Sequence, residues 1–227
     1  MPLAFERRPL DAMRARAADW YAELDRRRST REFSRDPVPR DLIALAIRSA
    51  GTAPSGAHRQ PWTYVAVGDP RLKQRIREAA EEEEYRSYTE RMPEEWKRAL
   101  APLGTDWVKT HITDAPWVVV LFKRSYEVLP DGSHAKNYYV AESVGLSAGL
   151  FIAAVHHMGL ATLPHTPSPM GFLSRLLDRP RNETPVLLFP VGYPAEDARV
   201  PRLARKPLAE ISAWHEGAGG GTGAIPL

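Results

Sequence analysis

Glu84 and Tyr88 stand four positions apart at the end of an acidic run, Glu81-Glu82-Glu83-Glu84. On a helix that spacing puts both on one face, in line with Ala80 and Met92. A carboxylate beside a phenol hydroxyl can receive an ammonium group, and Lys109, 21 positions beyond Tyr88, can receive a carboxylate. The three together would read an amino-acid zwitterion. Taken alone, the same residues also read as a solvated acidic helix face and a surface lysine.

Three other groups carry chemistry. Arg27-Arg28-Ser29-Thr30-Arg31 offers guanidinium forks and hydroxyls within five residues, a set suited to bidentate contacts with phosphate; basic residues are also favoured at a helix end by the dipole. The loop Pro54-Ser55-Gly56-Ala57 has side chains small enough for a planar ligand to approach the backbone, and its N–H groups could face an oxyanion, although an ordinary helix-to-strand turn has the same composition. Thr166, set between Pro164-His165 and Pro167, places a hydroxyl in a constrained loop, where local backbone hydrogen bonding is the commoner use. The adjacent His156 and His157 point to different faces of a helix and lack an H-x-x-x-H partner, so no metal site is expected. No G-x-S-x-G nucleophile elbow occurs.

The elements that must position these residues follow from periodicity. Leu10, Met13, Ala17, Trp20, Tyr21 and Leu24 recur at three and four, which predicts an amphipathic helix ending at the arginine cluster. A second helix runs from Asp41 to the stop at Gly51, and Trp62 to Val67 is a strand after the loop. Pro70 opens a helix that continues into the glutamates. Pro93 to Lys109 has helical spacing broken by Pro102 and Gly104, as in a lid. Trp117 to Phe122 is a continuous apolar run, a strand covered on both faces; Tyr138 to Met158, apolar nearly all round, reads as a central buried helix. Val186 to Phe189 is a further strand. Such an order fits an α+β or mixed α/β layer architecture.

Composition narrows the classes. With 227 residues the chain can bury a core without disulfides, and one domain over residues 1–216, with a lid at about 84–109 and a flexible glycine-rich tail at 217–227, is expected. The absence of cysteine removes disulfides, thiolate metal sites and a Cys nucleophile. No membrane span or signal h-region is expected, so the reading is a cytoplasmic protein. Net charge is +3, with 31 Lys and Arg against 28 Asp and Glu, too balanced for wholesale phosphate-backbone binding. The local clusters, at Arg26 to Arg31 and at Arg199, Arg202, Arg205 and Lys206, suit a small phosphorylated ligand better than nucleic acid.

In order and spacing these motifs resemble the nitroreductase-like FMN flavoproteins. The similarity runs from about Leu24 to Leu208 and rests on the arginine motif, Gly51 to His58 with Pro61-Trp62, Thr105 to Lys109, Pro190 to Pro194 and Arg205-Lys206-Pro207-Leu208. The Glu84, Tyr88 and Lys109 set is similar to the iodotyrosine deiodinase branch. The resemblance implies an α+β nitroreductase-like fold, a central mixed β-sheet sandwiched by helices, in a homodimer that exchanges terminal arms and binds two FMN at its interface. It implies FMN contacts from Arg27, Arg28, Ser29, Arg31 and Arg205, flavin packing by Pro54, Ser55 and Gly56, and a hydrogen bond from Thr166 to flavin N5. It further implies a halotyrosine whose phenolate meets the Ala57 N–H and whose amino-acid end meets Glu84, Tyr88 and Lys109. Electrons would come from NAD(P)H or a separate reductase. The branch carries a threonine-rich run followed by proline, leucine and asparagine; here Pro164-His165-Thr166-Pro167-Ser168-Pro169 replaces it. A general nitro- or quinone reductase, and a non-enzymatic flavin- or nucleic-acid-binding module, are the alternatives.

Overall fold

The computed structural model describes residues 1–215; the glycine-rich stretch read as a tail lies outside them. By internal contacts the chain forms two compact units, one from Arg27 to Val200 and one from Met1–Arg26 with the chain from Pro201 onward. The smaller holds α1 (Leu10–Arg26), which has no buried residue, and the short α8 (Leu208–Ile211).

The larger unit runs α2 (Arg40–Ala50), β1 (Trp62–Val67), α3 (Pro70–Arg86), α4 (Glu94–Leu100), α5 (His111–Asp114), β2 (Trp117–Arg124), β3 (Tyr126–Val128), β4 (His134–Lys136), α6 (Val140–His157), β5 (Ala161–Thr162), α7 (Gly171–Leu176) and β6 (Glu183–Gly192). Its sheet has the order β1-β2-β6-β5 with every neighbouring pair antiparallel. Among the described residues, the parallel component of the sheet expected to be mixed is a single bridge, Ser29 to Thr162. The hairpin β3–β4, the short β5 and α7 carry too few periodic residues to be seen in the sequence.

The run in β2 is covered on both faces because Val118 to Phe122 have no exposed surface. Alternation sends Val119 and Leu121 to a core shared with α2, α6 and Phe189, and sends Val118, Val120 and Phe122 to a second core with α3, Ile112 of α5 and α7. Each such side chain contributes about 1.5–3 kcal/mol by leaving water. Gly192, closing β6, is required sterically: a Cβ there would meet Pro116 Cδ at 2.5 Å.

Two expectations are corrected. The helix read as buried all round, α6, buries one face through Val144, Ala148, Phe151 and Val155 but leaves Leu146 and Leu150 52% and 39% exposed; interspersed small residues hid the asymmetry. Contrary to the expectation that no segment matches a membrane span, this 18-residue helix, mean hydropathy 1.2, is long and apolar enough to cross a membrane by length and composition alone, because its Ser and Gly residues interrupt an apolar run without lowering mean hydropathy much.

Candidate active site

The second core sets up the site. Ile76 and Ala80 of α3 are fully buried, and Lys73 Nζ donates to the carbonyls of Ala115 (2.5 Å), Thr113 (3.3 Å) and Pro116 (3.3 Å). Those bonds tie α3 to the end of α5 and so fix the segment carrying Lys109 and His111. Past Arg86 the helix widens into a π turn, Ser87–Arg91, a local irregularity common at functional sites. Glu84 and Tyr88 therefore stay close although the helix between them is no longer regular.

A cavity of about 270 Å³ opens there, lined by Arg31, Glu84, Tyr88, Lys109, His165 and Thr166 among others, with Met92, Trp96, Leu100 and Leu163 as an apolar wall. This is near the lower end for a pocket holding one small molecule. Lys109 is 3% exposed; its Nζ lies 3.4 Å from Glu84 Oε2, donates to the Asp106 carbonyl and sits 5.7 Å from the centre of the Tyr88 ring. Its backbone N–H donates to Glu81 Oε1 at 2.8 Å, and Glu81 is paired with Arg77 at 2.7 Å. The Tyr88 hydroxyl donates to Thr105 O at 3.2 Å. His165 Nε2 lies 3.2 Å from Glu84 Oε1, and its Nδ1 lies 3.4 Å from His111 Nε2.

Burial dominates the electrostatics and is opposed by pairing. It acts to raise the Glu84 pKa, but His165 and Lys109 outweigh it and leave the carboxyl below its usual range. Burial lowers Lys109 despite Glu84, and burial likewise lowers His165. His111, desolvated and near His165, Lys109, Arg31 and Arg77, is pushed down to about 2. The unfolded chain takes up a proton on this ring near pH 6.5 that the folded chain refuses, so stability falls as pH drops below 6.5. From pH 7.5 to 5.0 this ring alone accounts for about 2 kcal/mol. Urea unfolding across that range should show the wild-type advantage over His111→Gln shrinking as pH falls; a constant difference would rule out a neutral buried His111.

Other residues singled out in the sequence are distributed as follows. Ser29 pairs with Thr162 through the parallel bridge, while the Arg28 guanidinium donates to Arg27 O at 2.9 Å. Pro54, Ser55, Gly56 and Ala57 do not line the cavity; they form a tight turn beside the start of α6. Gly56 donates to Ser143 Oγ at 3.3 Å, and a Cβ on it would meet Tyr138 O at 2.8 Å, so glycine is needed for packing. Ala57 has φ 49°, unusual for a residue with a Cβ, and the turn's hydrogen bonds run from His58 N to Ser55 O and from Arg59 N to Gly56 O, bypassing the Ala57 N–H. Arg205 belongs to the smaller unit, where Nη1 donates to Asp25 Oδ1 and O, both at 2.8 Å. Sequence reasoning missed the histidine pair: His165 was noted as a departure and His111 not at all, although it sits two positions after Lys109.

Residues 24–193 match the family model described as "Nitroreductase family". The chain belongs to the nitroreductase family. Within that family it is 52% identical over 201 residues to an iodotyrosine deiodinase of Haliscomenobacter hydrossis, covering 88% of this chain and 90% of the relative. It is 46% identical to one from Nematostella vectensis, covering 88% and 76%, and 42% identical to iodotyrosine deiodinase 1 of Mus musculus, covering 93% and 74%. Among solved structures, an oxidized iodotyrosine deiodinase bound to FMN and 3-iodo-L-tyrosine superposes with a TM-score of 0.75 at 25% identity, over 86% of this chain and 100% of that one. The α+β nitroreductase-like fold read from the sequence is therefore the fold of this family member.

Proposed function

We infer that this nitroreductase-family chain is an FMN-dependent reductive dehalogenase of halogenated tyrosines, converting iodotyrosine to tyrosine and iodide. The observation that carries the reading is the convergence of Glu84, Tyr88 and Lys109 in one cavity with Arg31 and Thr166. That set offers opposite charges to the two ends of an amino acid and a guanidinium and a hydroxyl to a cofactor. Iodotyrosine deiodinases as relatives at 42–52% identity support it.

The residues present fit FMN. Arg31 lines the cavity, Ser29 is held beside β5 by its bridge, and with Arg27 and Arg28 they would take the phosphate and flavin edge, while exposed Thr166 would face the ring. When bound, FMN supplies the two electrons that, with one proton, replace the carbon–halogen bond by carbon–hydrogen and release halide. The chain's own part is placement. Glu84 accepts the substrate ammonium, Lys109 turns from Glu84 toward the substrate carboxylate, and Tyr88 closes the same end. The apolar wall of Trp96 and Leu100, on a short helix after the π turn, works as a lid that excludes water over the ring.

A second copy of the chain completes the site in this reading. The Pro54 to Ala57 turn, whose Ala57 N–H would meet the phenolate, lies beside the start of α6, and the exposed Leu146 and Leu150 of α6 provide apolar surface for a homodimer. The electron donor is taken to be NAD(P)H or a separate reductase, and the setting the cytoplasm.

Titrating FMN-loaded protein with 3-iodotyrosine, followed by flavin fluorescence, and then measuring iodide after anaerobic reduction tests the reading. Quenching with iodide release supports it. Bound flavin that ignores the amino acid but turns over nitroaromatics would make the chain a general nitro- or quinone reductase instead.

A further inference from the structure

His165 is held more firmly than a loop residue needs to be. Its N–H and C=O pair with Leu188 O and N of β6, both at 2.9 Å, and prolines stand at 164 and 167. The ring is fixed in turn by Glu84 at Nε2 and His111 at Nδ1, the two imidazoles meeting edge to face with centroids 5.1 Å apart at 74°. The charges around it come from every neighbouring element: Glu84 from α3, Lys109 from the segment leading into α5 and His111 from α5 itself, and Arg31 from the arginine motif, with Arg77 of α3 beyond His111.

The direction of these hydrogen bonds follows from charge. Glu84 is ionised, with Lys109 on its other oxygen, so it can only accept; His165 Nε2 must carry the proton. His165 Nδ1 then presents a lone pair, which the His111 Nε2–H donates into. The ring binds Oε1 without adding a positive charge. A doubly protonated His165 would set a second cation, after Lys109, on one carboxylate, and would lose the His111 hydrogen bond because Nδ1 could no longer accept.

We propose that His165, its tautomer set by Glu84 and satisfied by His111, is a positioning residue that fixes the Glu84 carboxylate for an incoming ammonium group and confines ammonium recognition to the pH range in which the His165 ring is neutral. The proposal rests on the amino-acid reading of the cavity and adds to it a residue outside the Glu84, Tyr88 and Lys109 set. Burial places the titration of the ring below the ordinary histidine range, so affinity for a zwitterion declines only in more acid solution than an ordinary histidine would set. A phenol without the amino-acid end is insensitive to the ring.

The test uses the FMN-loaded protein and two probes, 3-iodotyrosine and 2-iodophenol, with ring ¹⁵N NMR as a readout independent of turnover. Expected are the Nε2–H tautomer of His165 at pH 7.5, and a Kd for 3-iodotyrosine that rises about tenfold in His165→Leu while that for 2-iodophenol stays within about twofold. His165→Gln, which keeps a donor toward Glu84, should bind 3-iodotyrosine within about threefold of wild type and lack the acid decline. An Nδ1–H tautomer, equal losses for both probes, wild-type affinity in His165→Leu or failure of His165→Gln to restore binding would each overturn the proposal. Wild-type protein blind to the amino-acid end would overturn both readings. Wild-type protein that favours 3-iodotyrosine over 2-iodophenol, with His165→Leu favouring it by the same factor, would overturn only the role of His165.

Discussion

Replacing Glu84 with Gln is expected to raise the dissociation constant for 3-iodotyrosine roughly 30- to 150-fold, the equivalent of about 2–3 kcal/mol. The carboxylate is the acceptor on which Lys109 and His165 converge. An amide keeps the shape but removes the charge that an ammonium group would meet, and turns one of its two oxygens into a donor facing His165 or Lys109. Flavin content should not change, because in the proposed arrangement Glu84 meets the amino-acid end of the substrate and the arginine motif meets the cofactor. Fluorescence titration of flavin-loaded protein separates the outcomes. Unchanged affinity for the amino acid would end its assignment as the ammonium acceptor, and loss of flavin would show that Glu84 supports the cofactor side instead.

The second large effect is on stability. Phe151→Ala should lower unfolding free energy by about 3–5 kcal/mol, read from urea denaturation, whereas Phe151→Leu should cost only about 1–1.5 kcal/mol. Phe151 has no exposed surface and lies between Tyr64 (ring centroids 5.4 Å apart, 27°) and Phe189 (5.0 Å, 46°), joining β1 and β6 to α6. Truncation leaves a void bordered by rigid rings, with Tyr64 further tethered by its hydroxyl to Ser147 Oγ at 2.8 Å. Burial raises that phenol to about 12, so the tether stays protonated throughout the usual pH range. A loss under about 1 kcal/mol for the alanine variant would mean that the core closes over the gap.

The two variants probe different layers of one design. Phe151 belongs to the core on the α2 and α6 side of the sheet, Glu84 to the end of the helix covering the other side. Glu84 thus lies outside the core that holds Phe151, and Glu84→Gln should leave most of the urea transition in place.

The sequence by itself determined the elements with strong periodicity. The apolar run of β2 had to be covered on both faces, the proline-led α3 had to carry its glutamates to one end, and the spacing of Glu84 and Tyr88 kept them together even through a π turn, since four residues span close to one turn of either helix. Motif order also carried the family, because a ligand-binding fold constrains residue types at fixed distances along the chain. Only the tertiary structure decided what those residues touch. Lys109 is distant from Glu84 in sequence, and its burial follows from Lys73 tying α5 to α3. His165 meets Glu84 and His111 because Leu188 of β6 pins its backbone, a pairing across strands that no local pattern encodes. The Pro54 to Ala57 turn, composed as if for a ligand, is set by the packing of Gly56 against Tyr138. Local propensity acts through neighbours in sequence, whereas burial and charge act through neighbours in space, and a site made of buried charges is therefore settled last.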